Sequence, residues 1–242
     1  MHVAITGVSS GIGLEQARIF LENEHVVFGL DLRESMEIKE LMNEFSKSFT
    51  FICGDVTKRK TLHEHLVPVI EKRLDVLCNT AGQLDGYQSL EETTGESWDH
   101  ILAVNLTGTF NVTSVCLKYL LQNKASRIIN ITSIAGLTSG GGGIAYTSAK
   151  HGLVGFTKQL AHDYSMKGLR VNGIAPGAIA TPMNQKDFQG EPPLASWVQG
   201  QVPTKRWATA KEVAQLTYYL ASNSADYIQG AIIPIDGGWL IK

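Results

Sequence analysis

A short apolar strand that runs into a glycine-rich turn and then into an amphipathic helix leaves a chain few folds to adopt, and this sequence begins that way. His2 to Thr6 read H-V-A-I-T, and the string T-G-V-S-S-G-I-G over 6–13 carries Gly7, Gly11 and Gly13. Leu14, Ala17, Ile19, Phe20 and Leu21 then recur as one face of a helix does. Strand, glycine turn and helix in that order place an anion, typically a phosphate, at a helix N-terminus. Gly7 permits the tight turn, Gly11 lets a phosphate reach backbone N–H groups, and Gly13 lets the helix lie close to the strand. The spacing is G-x-x-x-G-x-G rather than G-x-G-x-x-G. Alone, the string also suits a glycine-rich turn in some other α/β protein.

The rest of the chain repeats the strand–helix alternation. Strands are predicted at 26–30, 49–53, 74–78, 127–132, 171–175 and 232–235, and helices at 34–45, 57–71, 97–121, 145–163 and 211–220. Pro68 marks a kink in the second of these helices. The strands are apolar at both parities, as a sheet covered on both faces requires. The predicted fold is therefore α/β, a Rossmann-type doubly wound parallel sheet of about seven strands in one domain over 1–242. The segment 178–204 holds Pro182, Pro192, Pro193 and Pro203 and shows no period, and it is long enough for a small lid helix over a substrate. Gly140 to Gly143 interrupt all structure, either as a loop opening a pocket or as a phosphate cradle.

The formal net charge of -2 gives no broad basic field for nucleic acid or an anionic membrane, and no stretch reads as a membrane span. Cys53, Cys78 and Cys116 sit in apolar runs without metal-ligand spacing. They read as buried free thiols of a cytoplasmic protein, with a regulatory thiol as the other reading. The first strand starts at the first methionine, which leaves no room for a signal peptide.

In such a sheet ligands bind at the C-terminal strand ends, and the informative polar residues gather there. Asp31 closes the second strand, where a carboxylate accepts hydrogen bonds from ribose hydroxyls and repels a 2′-phosphate, so NAD is expected over NADP. Arg33, two residues on, is the group that can instead bind such a phosphate. Asp55 either bonds an adenine amino group or caps the next helix. Asn79 and Gly82 end the fourth strand where backbone runs close to a flat ligand. Tyr146 and Lys150, at i and i+4, share one helix face. A lysine ammonium beside a phenol lowers the phenol pKa from about 10, which suits Tyr146 to general acid or base work on a carbonyl or alcohol. A surface pair is the bland alternative. Ser133 follows the fifth strand and can bond the same oxygen. Asn105 lies mid-helix, where a polar side chain is mildly costly without a task, and can hold a proton-relaying water.

These fragments, in this order, resemble the short-chain dehydrogenase/reductase family over essentially the full length. The coenzyme loop over 6–13, D-V at 55–56, N-T-A-G at 79–82 (Thr80 departs slightly from the usual N-N-A-G), V-N-L-T-G with Asn105, Y-T-S-A-K over 146–150, P-G at 176–177 with Thr181, and D-G-G at 236–238 carry the likeness. Ser133 lies 13 residues before Tyr146, the family interval. The resemblance implies an oxidoreductase that moves hydride between a nicotinamide cofactor and a small secondary alcohol or ketone. It implies a catalytic set of Asn105, Ser133, Tyr146 and Lys150. It implies cofactor contacts from Gly7, Ser9, Ser10, Gly11, Ile12, Gly13, Asp31, Leu32, Asp55, Val56, Asn79, Ala81, Gly82, Tyr146, Lys150, Pro176, Gly177, Ile179 and Thr181, with no metal. N-I-T-S-I-A-G at 130–136 and V-N-G-I-A-P-G at 171–177 resemble the branch that contains 3-oxoacyl-[acyl-carrier-protein] reductases. That branch implies the alternative of an NADPH-dependent reductase of oxoacyl thioesters. A cofactor-binding regulatory protein is the rival class. Met183, Phe188 and Trp197 are expected in a partly apolar substrate pocket, and a homotetramer is the usual family assembly.

Overall fold

The computed structural model describes residues 1–241. The strands are β1 (His2–Thr6), β2 (Val26–Asp31), β3 (Phe49–Cys53), β4 (Val76–Asn79), β5 (Arg127–Ile131), β6 (Arg170–Pro176) and, after a short pair, β9 (Ile232–Ile235). They form one seven-stranded sheet in the order β3-β2-β1-β4-β5-β6-β9, parallel at every junction. The Rossmann-type α/β sheet expected from the alternation is what the chain forms. The strand order reverses between β1 and β4, and a crevice opens at such a point at the C-terminal strand ends.

Alternate strand residues face opposite sides. Val3 and Ile5 join one core with Ala17 and Phe20 of α1 (Gly11–Glu22), Ile38 and Leu41 of α2 (Met36–Glu44), and Val213 and Leu220 of α9 (Ala210–Ala221). Ala4 faces the other core, with Leu62 of α3 (Arg59–His65), Ile70 of α4 (Val67–Ile70) and Val112 and Val115 of α6 (Gly108–Leu120). Burial on both faces is the physical reason for the near-continuous apolar strands.

Four local departures from the sequence reading have identifiable causes. The helix expected over 57–71 is two short helices, α3 and α4, because Pro68 sits in the first turn of α4, where its missing N–H is tolerated. The helix expected over 97–121 starts earlier, capped by Thr94 onto the Ser97 amide. It then passes from α5 (Gly95–Leu102) through a π-helical turn, Ala103–Thr107, into α6. Cys53 is exposed rather than buried, because it ends the edge strand β3; Cys78 and Cys116 are buried, and burial pushes both thiols up. Among the described residues the stretch Gly95–Leu120 is, by length and composition, apolar enough to cross a membrane, contrary to the sequence reading. Half of its most apolar window is buried inside the protein, where it packs on β4 and on α7 (Ile144–Tyr164).

The segment 178–204 is ordered. It starts with β7 (Ile179–Ala180), which pairs in parallel with β8 (Ala208–Thr209), and continues through a 3₁₀ helix, Pro182–Phe188, and α8 (Leu194–Gln201).

Candidate active site

The crevice is a single continuous cavity of about 990 Å³ running from the glycine loop to the 178–204 segment. Its nucleotide end is built by close approach. A Cβ on Gly7 would fall 2.8 Å from the Ala81 Cα, and one on Gly13 would overlap the Gly7 carbonyl oxygen. Gly7 and Gly11 also have positive φ, +71° and +53°, which side-chain-bearing residues rarely adopt. Ser10 precedes α1 without capping it through its side chain, and Gly11, Ile12 and Gly13 of the first turn line the cavity. This is a cradle for an anion, and it fits the pyrophosphate of a pyridine dinucleotide. Gly13→Ala is therefore expected to cost about 1–3 kcal/mol of stability by overpacking and to weaken dinucleotide binding at least tenfold. Thermal melting and a fluorescence titration with NADPH measure both effects.

Most of the residues expected at the cofactor line this cavity: Gly7, Ser10, Gly11, Ile12, Gly13, Asp31, Leu32, Asp55, Val56, Ala81, Gly82, Tyr146, Lys150, Pro176, Gly177, Ile179 and Thr181. Ser9 and Asn79 do not. The Ser9 amide and hydroxyl turn back to Asp31 and to the Arg33 carbonyl. Asn79 is buried beneath the floor, donating to Thr113 at 3.0 Å and to Asn130 at 2.9 Å. Asp55 accepts from both the amide and the hydroxyl of Thr57 at 2.8 Å, and so braces a turn ahead of α3 rather than capping the helix. Thr80, the departure from the family pattern, donates to the wholly buried Gln16, which donates in turn to Thr217 of α9.

Ser133, Tyr146 and Lys150 meet in the middle of the cavity. Ser133 sits just past β5, where its side chain accepts from the Ala135 amide and lines the cavity with Tyr146. Lys150, one turn along α7 from Tyr146, is 3% exposed. Its Nζ donates to the Ile131 carbonyl at 2.9 Å and stands 5.5 Å from the Tyr146 ring centroid. Burial lowers this ammonium to about 8. The expected lowering of the phenol is not found. Burial pushes Tyr146 up to about 12, the nearby Ser133 hydroxyl opposes that, and the Asp85 carboxylate adds to it.

Asn105 does not line the cavity. The π turn points it inward, where Nδ2 donates to the Gln83 and Ile101 carbonyls and Oδ1 accepts from the Gln83 amide at 3.1 Å. Single π turns recur at functional sites. A Cβ on Gly82 would lie 2.7 Å from Asn105 Oδ1 and 3.6 Å from Lys150 Nζ, so glycine is what allows the two side chains to converge there.

Sequence reasoning passed over Asp85. Its carboxylate accepts from the amides of Gly143 at 2.8 Å and Tyr146 at 2.9 Å, and so caps α7 from 58 and 61 residues away. A buried carboxylate at a helix N-terminus is favoured by the helix dipole, but no local pattern announces a cap so distant in the chain. His100 and Gln83 form a second unanticipated pair at the cavity, 2.7 Å apart. The far half of the cavity is lined by Leu84, Tyr87, Met183, Trp197, Trp207 and Trp239. Phe188 lies outside that lining and packs on Trp207 with ring centroids 4.8 Å apart.

A dinucleotide-sized crevice at the sheet's switch point, with a serine, a tyrosine and a lysine converging in its middle, defines a pyridine-nucleotide oxidoreductase. A family model described as enoyl-(acyl carrier protein) reductase matches residues 7–240. The chain is 34% identical over 244 residues to the 3-oxoacyl-[acyl-carrier-protein] reductase FabG of Thermotoga maritima, covering 98% of this chain and 96% of the relative. It is 31% identical over 240 residues to a 2-dehydro-3-deoxy-D-gluconate 5-dehydrogenase of Bacillus subtilis, covering 98% and 94%. Among solved structures it is similar to ElxO with NADP bound, at 30% identity and a TM-score of 0.91, covering 100% of this chain and 99% of the other. The chain belongs to the short-chain dehydrogenase/reductase family and is an NAD(P)-dependent enzyme acting on CH–OH or ketone substrates. Its relatives span several branches, so the likeness to the oxoacyl-reductase branch does not single that branch out.

The expectation of NAD as the principal cofactor is overturned. Similar structures hold NADP or NADPH: ElxO, a tyrosine-to-phenylalanine variant of ElxO, and a putative 2-deoxy-D-gluconate 3-dehydrogenase of Agrobacterium tumefaciens. Asp31 lines the cavity and also braces the loop, its Oδ2 accepting from the Ser9 amide at 2.9 Å and its Oδ1 from the Leu32 amide at 2.7 Å.

Proposed function

We propose that this enzyme uses NADPH to reduce the 3-oxo group of an acyl thioester or a ketone of similar shape, the reading first held as the alternative. The observation that carries it is the convergence of Ser133, Tyr146 and Lys150 in one cavity, between the nucleotide cradle and an apolar half-cavity. A protonated phenol is the form that reduction of a carbonyl consumes, and an apolar half-cavity suits an acyl chain.

The bound cofactor supplies the hydride. Tyr146 gives its proton to the carbonyl oxygen, and the Ser133 hydroxyl donates a hydrogen bond to the same oxygen. Lys150, charged below about pH 8, stabilises the phenolate left behind and bonds the nicotinamide ribose. Asn105 supports the return of the proton by fixing the Gly82–Gln83 backbone beside Lys150. Gly11, Ile12 and Gly13 hold the pyrophosphate. Lys58, which lines the adenosine end, and Arg33, next to Leu32, are the cations for a 2′-phosphate.

The test is initial rates with NADPH and NADH on acetoacetyl thioester, small ketones and a 2-keto-3-deoxy sugar acid. We expect NADPH to exceed NADH in kcat/KM by at least about tenfold, as one well-placed charge–phosphate contact gives, with the thioester reduced faster than the sugar acid. Equal use of the two cofactors, or turnover of the sugar acid alone, would sink the reading.

A further inference from the structure

We propose that Tyr87 and Asp187 form a clasp that holds the 178–204 segment over the substrate side of the cavity, and that Asp85 ties this clasp to the position of Tyr146. The substrate side is identified through the reading above, so the kinetic half of the proposal rests on it.

The Tyr87 hydroxyl donates to Asp187 Oδ2 at 3.0 Å, across 100 residues of sequence. Asp187 belongs to the 3₁₀ helix Pro182–Phe188 and is only 8% exposed, whereas Lys186 beside it is exposed. A buried carboxylate with a partner from another segment marks a fixed contact. Tyr87 lines the cavity while its hydroxyl proton is committed to Asp187, so the ring forms a wall fastened to the 178–204 segment.

The backbone of Tyr87 is held with equal care. Its φ is +61°, a conformation a bulky residue adopts only when its surroundings impose it. The Tyr87 amide donates to Asp85 Oδ1 at 3.2 Å, and the same carboxylate accepts from the amides of Gly143 and Tyr146. The Ile144 amide adds a second tie, donating to the Gln88 carbonyl at 3.0 Å. Hydrogen bonds therefore run without a break from the lid, through Tyr87 and Asp85, to the backbone of Tyr146. Tyr87 and Asp187 determine how substrate is enclosed, and Asp85 is a positioning residue.

The experiment compares Tyr87→Phe, Asp187→Ala, Asp187→Asn and the Tyr87→Phe/Asp187→Ala double variant with the wild-type chain. The first readout is the rate of tryptic cleavage after Lys186, divided for each variant by the rate for a peptide of the same 182–192 sequence, because the residue after the lysine sets the intrinsic rate; it needs no activity. The second is KM for acetoacetyl thioester at saturating NADPH, alongside the Kd for NADPH. Loss of a hydrogen bond to a charged group is expected to speed cleavage and raise KM by about tenfold in Tyr87→Phe and in Asp187→Ala, with the NADPH Kd unchanged. The double variant matches the single ones, because both remove one contact. Asp187→Asn, which keeps an oxygen acceptor, restores most of both. Wild-type cleavage rates in the single variants, or effects that multiply in the double, would overturn the clasp. If no variant, nor the wild type, reduces any ketone, the proposed function fails while the cleavage rates still decide the clasp.

Discussion

Tyr146→Phe is expected to lower kcat for ketone reduction by about 10²–10⁴-fold while leaving the Kd for NADPH within about twofold of wild type. The phenol is the proton donor nearest to where a carbonyl oxygen would rest beside Ser133, and phenylalanine keeps the ring and its packing while removing the proton. Tyr146 is 8% exposed, so the vacancy left by one hydroxyl is small and the fold persists. Ser133 remains to polarise the carbonyl, which is why residual turnover is expected rather than none. Stopped-flow NADPH oxidation under single-turnover conditions separates the chemical step from binding and release. An unchanged single-turnover rate would mean that the proton comes from elsewhere.

What the sequence disclosed and what it withheld divide along a physical line. Features set by nearby residues were legible. The β1–glycine–α1 unit is coded within 22 residues. The one-turn spacing of Tyr146 and Lys150 fixes their common face wherever the helix lies. Sheet burial on both faces is written into apolar residues at both parities of β1, β4 and β5. Features set by distant partners were not legible. Asp31 could be placed at a strand end, but not its bracing of the loop through the Ser9 and Leu32 amides. Asp85 went unnoticed because the helix it caps begins 59 residues later, at Ile144. Asn79 matched a motif at a strand end, yet its side chain turns away from the ligand side into a buried chain with Asn130 and Thr157. Cys53 shared the apolar setting of the other cysteines, and only the strand order, which puts β3 at the sheet edge, exposes it. The direction of the Tyr146 shift was also misread, because an i, i+4 lysine implies attraction of charge, whereas the depth of the pocket makes desolvation the larger effect.

Lys150→Met is expected to abolish ketone reduction and, at the same time, to stabilise the protein near neutral pH. Lys150 is 3% exposed, and burial lowers its ammonium from 10.5 to about 8. Between those values the unfolded chain binds the proton and the folded chain does not, so stability rises with pH across the window from about 8 to 10.5. Below about 8 both states carry the charge, and the folded state bears the full desolvation cost, on the order of 3 kcal/mol at 1.36 kcal/mol per pKa unit. Methionine fills a similar volume without a charge to desolvate. Its own penalty is the Ile131 carbonyl left without the Nζ donor, about 1–3 kcal/mol, so the net gain at pH 7 is small. The decisive quantity is the difference between the two proteins as pH changes, in which other titrating groups cancel. Urea unfolding at pH 7.5 and pH 10.5 should show wild-type stability gaining on Lys150→Met by about 3 kcal/mol. A constant difference would mean that the cavity solvates the ammonium at no cost.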